Sequence, residues 1–229
     1  MRKEKLLLLF SKWPRKGTSK SRMAKGIGEQ NIEEFCFACL DDLIQKTRNL
    51  KETDFIVIPN TMEESRLFAD RYGVFSISLE HLGIFPDSTM SETLQNIFSY
   101  FLGEYKKVSL IPMDVPHIDI KAIEKSFEKL DSYNQVFGPE ENGGVYLIGL
   151  SKLSRYTFDR IRWSTENSVK DLIKNSKSPA ILKPSFDLNT SEDLANLNKA
   201  TMDSCPHLTR FIKSLILERI MMKREVMLA

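Results

Sequence analysis

Residues 6–22 read LLLLFSKWPRKGTSKSR, an apolar run that passes directly into a basic loop. Five consecutive apolar residues without polar alternation are typical of a β-strand that is covered on both faces. In the loop, Gly17 permits close backbone approach, and the surrounding Lys and Arg side chains can neutralise phosphate charge. The stretch predicts a buried first strand followed by a diphosphate-binding loop, with a solvated basic loop as the alternative. It is not a Walker A loop, because the G-x-x-x-x-G-K-[ST] pattern is absent.

Six more short apolar runs follow, and helical stretches lie between them. The predicted strands are 6–10, 55–58, 74–77, 108–111, 135–137, 145–148 and 180–182, and the predicted helices are 31–47, 62–72, 88–105, 119–130, 165–175 and 191–199. This alternation predicts an α/β sandwich with a mostly parallel sheet. Ligands of such sheets bind beyond the carboxyl ends of the strands, so the loops after the strands are the candidate site. We expect a single domain over residues 1–229, with a core of about 1–200.

Composition excludes several classes of protein. The 33 Lys and Arg residues nearly balance the 31 Asp and Glu residues, for a net charge of +2, so we expect no nucleic-acid partner. Three cysteines are too few for a disulfide scaffold and fit a reducing compartment. Cys36 and Cys39 are read as two core thiols one helical turn apart rather than as a redox or zinc pair. The run at 6–10 is too short for a signal peptide and no run approaches a membrane span, so we expect a cytoplasmic protein.

The last predicted helix, at about 205–228, carries a wide apolar stripe beside basic residues. The stripe contains Leu208, Phe211, Ile212, Leu215, Ile216, Ile220, Met222 and Met227. Packing on the body of the domain is the favoured interpretation. A homodimer contact and a basic amphipathic membrane-surface helix are the alternatives, although Glu218 and Glu225 dilute the charge that a membrane helix needs.

Acidic and glycine residues follow three of the predicted strands. Asp114 comes just after the strand at 108–111, where a carboxylate can hold Mg²⁺ or Mn²⁺ against phosphate oxygens. Asp119 is better placed than Asp114 to cap the next helix. Asn142-Gly143-Gly144 predicts a turn with positive φ that allows close approach to a ligand, or else a plain hairpin turn.

Two further segments could line the same site. Ser164 or Thr165 is a plausible N-cap, and the adjacent Trp163 could line a sugar or base site. Asp187 and Asn189 precede a helix start at Thr190 or Ser191 and could reach a metal.

Five motifs together resemble a known bacterial family. Residues 10–22 resemble F-x-[KR]-x-P-x-x-G-x-x-K-T-R, 113–116 resemble x-D-C-P, 138–150 resemble G-P-x-x-D-G-G-Y-Y-L-I-G-L, 163–165 match W-S-T, and 186–194 resemble D-[IV]-D-T-P-E-D-L. This is the glycosyltransferase-like family with members linked to arsenosugar biosynthesis, within the nucleotide-diphospho-sugar transferase (GT-A) superfamily. The resemblance implies a GT-A-like three-layer α/β/α sandwich with a mostly parallel mixed sheet.

The resemblance also implies roles for individual residues. It places Gly17, Lys20 and Arg22 at the nucleotide diphosphate, Asp114 at the metal, and Gly143, Gly144 and Tyr146 on the acceptor side, with Trp163, Ser164 and Thr165 near the site. From their positions we add Lys12 to the diphosphate-binding residues, and Asn142, Trp163, Ser164 and Thr165 to the acceptor side. Asp187 and Asn189 are added to Asp114 as ligands of a divalent Mg²⁺ or Mn²⁺. From their position, Glu140 or Glu141 could act as the acceptor base. The expected function is glycosyl transfer from a nucleotide-sugar to a small-molecule acceptor.

Two family aspartates are amides in this chain, at Asn142 and Asn189. An amide oxygen can coordinate a cation but cannot neutralise it, so the sequence predicts a weakened metal site. Two other functions therefore stay open. One is a non-catalytic binding or interaction protein on the same fold. The other is a nucleotidyltransferase, which the basic loop would suit, although the usual G-G-x-S-x-R-[FM]-G opening is absent.

Overall fold

The computed structural model describes residues 2–17 and 20–228, with the backbone alone for residues 219 and 222–228. The chain divides into two compact units. The first unit comprises Met1–Trp13, Thr47–Pro112 and Ile118–Asp187, and the second comprises Pro14–Lys46, Met113–His117 and Leu188–Ala229. That the whole chain forms a single domain stays a prediction.

The first unit contains a seven-stranded sheet, and each strand lies where the sequence predicts one. The strands are β1 (Lys3–Phe10), β2 (Asp54–Ile58), β3 (Phe75–Ser76), β4 (Tyr105–Pro112), β5 (Gln135–Pro139), β6 (Val145–Leu150) and β7 (Ala180–Ile181). Their order across the sheet is β3-β2-β1-β4-β6-β5-β7. Only β6 runs antiparallel to its neighbours, so the sheet of the described chain is mixed and mostly parallel, as predicted.

Strand β1 lies in the interior of this sheet and explains the unbroken leucine run. It pairs in parallel with both β2 and β4, so that Leu8 lies between Ile56 and Leu110. Leu6 to Leu9 all have 0% exposure. A strand with neighbours on both sides and both faces covered has no position left for a polar side chain, which is why alternation is absent.

The described residues also form eight α-helices, which lie between and after the strands along the chain. They are α1 (Ser21–Ile27), α2 (Ile32–Thr47), α3 (Met62–Tyr72), α4 (Met90–Glu104), α5 (Ile120–Lys129), α6 (Ser168–Lys174), α7 (Lys199–Asp203) and α8 (Pro206–Leu228). In the first unit, three helices begin at capping side chains: Thr61 for α3, Thr89 for α4 and Asp119 for α5. Asp119 thus takes the capping role that the sequence assigns to it rather than to Asp114.

The structure corrects two local predictions in the second unit. The sequence predicts that the basic loop runs on to Arg22, but α1 begins at Ser21. This helix has only seven residues, and Lys20 before it makes no side-chain cap, so the usual start signal is missing. The helix predicted at 191–199 is a 3₁₀ turn over Ser191–Asn196, followed by α7. The turn ends there because Leu197 takes an extended backbone.

Helices α2 and α8 contact each other in the second unit. The rings of Phe35 and Phe211 meet at 5.8 Å between centroids. Cys36 and Cys39 are free, fully buried thiols on α2, as predicted. Burial raises the pKa of the Cys36 thiol to about 12, so it stays protonated at neutral pH.

The C-terminal helix α8 buries one side of its apolar stripe. Leu208, Phe211 and Leu215 are buried, whereas Ile216 and Ile220 are exposed. Met222 and Met227 lie outside the described side chains. Helix α8 thus packs within its own unit. Packing on the core of a single domain and a homodimer contact through the exposed residues both stay predictions. No helix in residues 2–17 and 20–228 is both long and apolar enough to cross a bilayer.

Asp42 of α2 holds the start of α8. Its carboxylate accepts hydrogen bonds from the backbone N–H groups of His207, at 3.0 Å, and Leu208, at 2.9 Å. The side chain is buried at 1% exposure, and this burial raises its pKa against the lowering effect of the two N–H donors. A carboxylate supplied by another helix therefore serves as the N-terminal cap of α8.

We expect Asp42→Ala to lower the free energy of unfolding by about 2 kcal/mol, because two buried N–H groups lose their acceptor. Urea denaturation followed by circular dichroism measures the change. Glu34→Ala is the matched control, since Glu34 is an exposed carboxylate on the same helix. The control should change stability by less than about 0.5 kcal/mol. Equal losses in the two variants would contradict the capping role.

Candidate functional site

Lys20 lies at the centre of a polar cluster in the second unit. Its Nζ donates to Asp114 Oδ2 at 2.5 Å, to the Leu188 carbonyl oxygen at 3.0 Å and to Asn189 Oδ1 at 3.0 Å. These four residues are called the Lys20 cluster below. A lysine ammonium has three N–H donors, so the three acceptors satisfy it fully. The sequence selects Lys20, Asp114 and Asn189 as site residues, and the structure brings all three together.

The backbone positions each member of the Lys20 cluster. Lys20 adopts the left-handed conformation, with φ 54°, directly before α1, and its carbonyl accepts from Ala24 N–H. For a residue with a Cβ this conformation costs about 1 kcal/mol or more, and such strain concentrates at functional positions. Leu188 N–H donates to the Asp114 carbonyl oxygen at 2.9 Å. Leu188 therefore binds Asp114 through its N–H and Lys20 through its carbonyl.

The second carboxylate oxygen of Asp114, Oδ1, can still accept a hydrogen bond or bind a cation. Oδ1 is buried and has no hydrogen-bond partner among the described residues. The Asp114 side chain is 19% exposed and that of Lys20 is 12% exposed, so water screens the pair only in part. A buried, unsatisfied carboxylate oxygen is costly unless another ligand uses it.

The oxygens around Lys20 fit a hard divalent cation in type but are low in charge. A carboxylate, a backbone carbonyl and a side-chain amide are the ligand types that Mg²⁺ accepts, with phosphate oxygens completing the shell. Within the part of the chain that the structure describes, no three His, Cys, Asp or Glu side chains converge as a metal site. Asp114 is the single carboxylate of the Lys20 cluster. The weakened metal site stays a prediction.

In the first unit, a tight turn over residues 140–144 joins β5 to the antiparallel β6. Gly143 has φ +90°, as the Asn-Gly-Gly sequence predicts, and its N–H donates to the Glu140 carbonyl at 3.0 Å. Asn142 Oδ1 accepts from Gly144 N–H at 2.9 Å, and its Nδ2 donates to Asp187 Oδ1 at 3.3 Å. An aspartate at 142 would place two carboxylates against each other, so the amide suits its buried neighbour Asp187.

The turn at 140–144 contacts the segment that carries Trp163. The Gly143 carbonyl accepts from Val169 N–H at 3.1 Å, and a Cβ on Gly143 would lie 2.1 Å from the Glu166 carbonyl oxygen. Trp163 Nε1 donates to Ser91 Oγ at 2.8 Å, so its ring is anchored. Two parts of the predicted acceptor side are therefore neighbours within the first unit.

The predicted capping role of Ser164 or Thr165 is wrong. The residue that precedes α6 is Asn167, which makes no side-chain cap. Thr165 Oγ1 instead donates to the Arg162 carbonyl at 2.7 Å and accepts from Asn167 N–H at 3.2 Å. Ser164 takes a left-handed backbone, with φ 59°. These local bonds close a turn before α6, and the helix begins later than the cap signal suggests.

The remaining predicted residues have varied surroundings. Tyr146 is buried, donates its hydroxyl to the Lys183 carbonyl at 3.0 Å and has a pKa that burial raises to about 12, so it cannot act as a base near neutral pH. Glu140 is half-buried, and Glu141 is exposed. The basic residues Lys12 and Arg22 are exposed, and Gly17 has φ +75°. Their predicted ligand contacts stay predictions.

The sequence did not indicate the part played by Leu188. It contributes only backbone groups to the Lys20 cluster, and any residue has these. Its position between Asp187 and Asn189, two residues that the motif comparison selects, is the sole signal that could have identified it.

Comparison with solved structures defines the class of fold. A candidate nucleotide-diphospho-sugar transferase from Desulfovibrio desulfuricans G20 is similar, with a TM-score of 0.78, 21% identity, and coverage of 95% of this chain and 98% of that one. Glucosyl-3-phosphoglycerate synthase from Mycobacterium tuberculosis, in complex with Mn²⁺, uridine diphosphate and glucosyl-3-phosphoglycerate, matches with a TM-score of 0.51 at 10% identity; 93% of this chain and 80% of that chain are covered. The chain has an α/β fold of the nucleotide-diphospho-sugar transferase type, as predicted.

The chain belongs to the family described as "Uncharacterized protein conserved in bacteria (DUF2064)", whose model matches residues 47–165. It is also similar to the 2-phospho-L-lactate guanylyltransferase of Methanobrevibacter smithii, with 26% identity over 185 residues, 78% of this chain and 77% of the relative. The chain is thus similar in fold to a candidate nucleotide-diphospho-sugar transferase and in sequence to a guanylyltransferase. The connection to arsenosugar biosynthesis stays a prediction.

We expect Gly143→Ala to destabilise the protein by at least about 2 kcal/mol, because the residue has positive φ and its new Cβ would collide with the Glu166 carbonyl. Gly83→Ala is the matched control: Gly83 has φ +69°, but a Cβ there meets nothing within 4 Å. The control isolates backbone strain and should cost about 1 kcal/mol. Urea denaturation of both variants tests this, and equal losses would show that the contact with Glu166 is unimportant.

An ion pair near the Trp163 segment should make stability depend on acid pH. The Arg162 guanidinium donates two hydrogen bonds of 2.8 Å to Asp171, and these lower the pKa of Asp171 from 3.8 to about 2. The pair therefore stabilises the fold above about pH 4, and this contribution is lost as the pH falls toward 2.

Accordingly, the thermal midpoints of wild type and Asp171→Asn should differ most above about pH 4 and converge toward about pH 2. Arg162→Gln removes the partner and should show the same convergence. Scanning calorimetry across this range measures both. A difference that stays constant down to pH 2 would refute the assigned ion pair.

Proposed function

We propose that this protein is a nucleotide-dependent transferase whose reaction releases a diphosphate leaving group. The observation that carries the proposal is the Lys20 cluster, in which a cation and three hard oxygen ligands meet beside the basic loop. Departure of a diphosphate concentrates negative charge on its oxygens. Preorganised cations are the usual means of stabilising such charge.

Lys20 and Arg22 are the residues proposed to bind the phosphates, with Lys12 and Gly17 contributing from the same loop. Charge-assisted hydrogen bonds from Lys and Arg to phosphate are stronger than neutral ones. Asp114 and Asn189, with the Leu188 carbonyl, would hold a divalent cation; Asp187 is bonded to Asn142 and is a weaker candidate. When bound, that cation would polarise phosphate oxygens. The Mn²⁺ in the complex of the mycobacterial synthase supports this assignment.

Nucleotidyl transfer is the favoured form of the reaction, because the guanylyltransferase relative aligns with 78% of this chain. The substrate would then be a nucleoside triphosphate, guanosine triphosphate first, and the product pyrophosphate. The acceptor would be a small molecule, with residues 140–144 and 163–165 proposed to shape its binding.

Glycosyl transfer from a nucleotide-sugar is the second candidate. The structural similarity to the Desulfovibrio protein, with a TM-score of 0.78, supports it. The leaving group would then be a nucleoside diphosphate, which the same cations could stabilise. Glu140 and Glu141 are the carboxylates that we propose as acceptor base in this case. A protein on this fold that binds without catalysis would also retain nucleotide binding but would release neither product.

The test begins with binding. Thermal unfolding is followed with a panel of nucleoside di- and triphosphates and nucleotide-sugars, each with and without Mn²⁺. Ligand at about 100 times its dissociation constant should stabilise the protein by about 2.7 kcal/mol. We expect a metal-dependent shift that Asp114→Ala removes. Asp203→Ala, at an exposed carboxylate of the second unit, should leave the shift intact.

Product analysis then separates the two reactions. Release of pyrophosphate from a triphosphate indicates nucleotidyl transfer, and release of a nucleoside diphosphate from a nucleotide-sugar indicates glycosyl transfer. Binding without either product would favour the non-catalytic protein. No stabilisation by any nucleotide would refute the proposed function.

A further inference from the structure

Lys20 occupies the point on which the oxygens of Asp114, Leu188 and Asn189 converge. We propose that Lys20 is the resident cation of this site in the nucleotide-free protein, and that a divalent cation binds there only after the Lys20 side chain has withdrawn. The site is the one assigned in the proposed function. The competition between Lys20 and a metal can nevertheless be tested without any nucleotide.

The charge of the Lys20 cluster matches a monovalent cation. Asp114 contributes one negative charge, whereas the Leu188 carbonyl and the Asn189 amide contribute none. The ammonium therefore makes the cluster neutral. Lys20 and Asp114 are in contact and only partly exposed to water. A divalent ion bound to Asp114 beside a retained ammonium would therefore be strongly repelled by it.

The amide at Asn189 has a physical explanation in this arrangement. The resembling motif has aspartate at this position, and a second carboxylate would leave the cluster negative with Lys20 in place. An amide oxygen accepts one ammonium N–H at 3.0 Å without adding charge. Replacing aspartate by asparagine at 189 weakens the site for a metal. The same change suits an ammonium.

The structure also provides a way for the metal to enter. Lysine is a compact charge on a flexible four-carbon stem, so its ammonium can leave while its backbone stays in place. Asp114 Oδ1 is buried without a partner among the described residues, and it would become a ligand together with Oδ2. A phosphate group carries more negative charge than the single carboxylate. Its arrival would therefore attract the ammonium away from Asp114. Phosphate binding and metal binding would then be coupled.

The experiment measures Mn²⁺ binding to the nucleotide-free full chain by electron paramagnetic resonance of the unbound ion. Wild type should bind Mn²⁺ weakly. Lys20→Met removes the ammonium and keeps most of the side-chain volume, and it should bind Mn²⁺ at least about tenfold more tightly. Lys20→Gln, which can still donate a hydrogen bond to Asp114, should show a gain in the same direction and serves if the Met variant folds poorly.

Two controls assign the gain to this site. Lys25→Met removes the same charge from an exposed position of α1 and should bind Mn²⁺ like the wild type. The double variant Lys20→Met/Asp114→Asn should lose the gain, because the carboxylate is gone. Thermal unfolding of each variant verifies that it is folded.

A second measurement uses the wild type. Labelling by an amine-reactive ester, followed by mass spectrometry, should be slower at Lys20 than at Lys25, and Asp114→Asn should accelerate it at Lys20.

The inference is overturned if neither Lys20 variant gains Mn²⁺ affinity, if Lys25→Met gains equally, or if the double variant keeps the gain. If the nucleotide panel fails while these results hold, the proposed function is refuted and the cation exchange stands.

Discussion

Strand β1 imposes the main constraint on this structure, because it pairs in parallel on both sides and is covered on both faces. Its four leucines, Leu6 to Leu9, lose all contact with solvent. Burial of an aliphatic side chain contributes about 1.5–3 kcal/mol, so a polar residue at any of these positions would be costly. The parallel neighbours β2 and β4 in turn need long connections, which here contain helices and the loops of the candidate site.

Asn142 and Asn189, which stand where the resembling motifs have aspartate, are both engaged in specific hydrogen bonds. Asn142 donates to the buried Asp187, and Asn189 accepts from the Lys20 ammonium. In each case a carboxylate would either face another carboxylate or leave one ammonium with two negative charges. Each amide therefore removes a negative charge that could have bound a metal. Each also forms a hydrogen bond that suits its neighbour in the fold, Asp187 or the Lys20 ammonium.

The same cations can serve more than one transfer reaction. Nucleotidyl and glycosyl transfer both end with negative charge on a phosphate leaving group, so the phosphate-binding role proposed for Lys20 and Arg22 suits either reaction. This is why a fold shared with a nucleotide-sugar transferase and a sequence similar to a guanylyltransferase are compatible in one chain. In the proposed function, the choice between the reactions is assigned to the acceptor side, for which we propose the turn at 140–144 and the neighbouring segment before α6.

Strand positions, the β5–β6 turn and the membership of the fold type follow from the sequence, because they depend on local apolar runs, on Asn-Gly-Gly and on motif order. The first residues of α1 and α6 cannot be predicted in this way. The Lys20 side chain does not cap α1, and the Thr165 side chain donates to the Arg162 carbonyl rather than capping α6. Capping of α8 by Asp42 is likewise invisible, as the partners are 165 and 166 residues apart. By itself the sequence determined which side chains carry charge; only the tertiary structure decided that Lys20 meets Asp114, Leu188 and Asn189, because contacts between distant segments depend on how the chain folds.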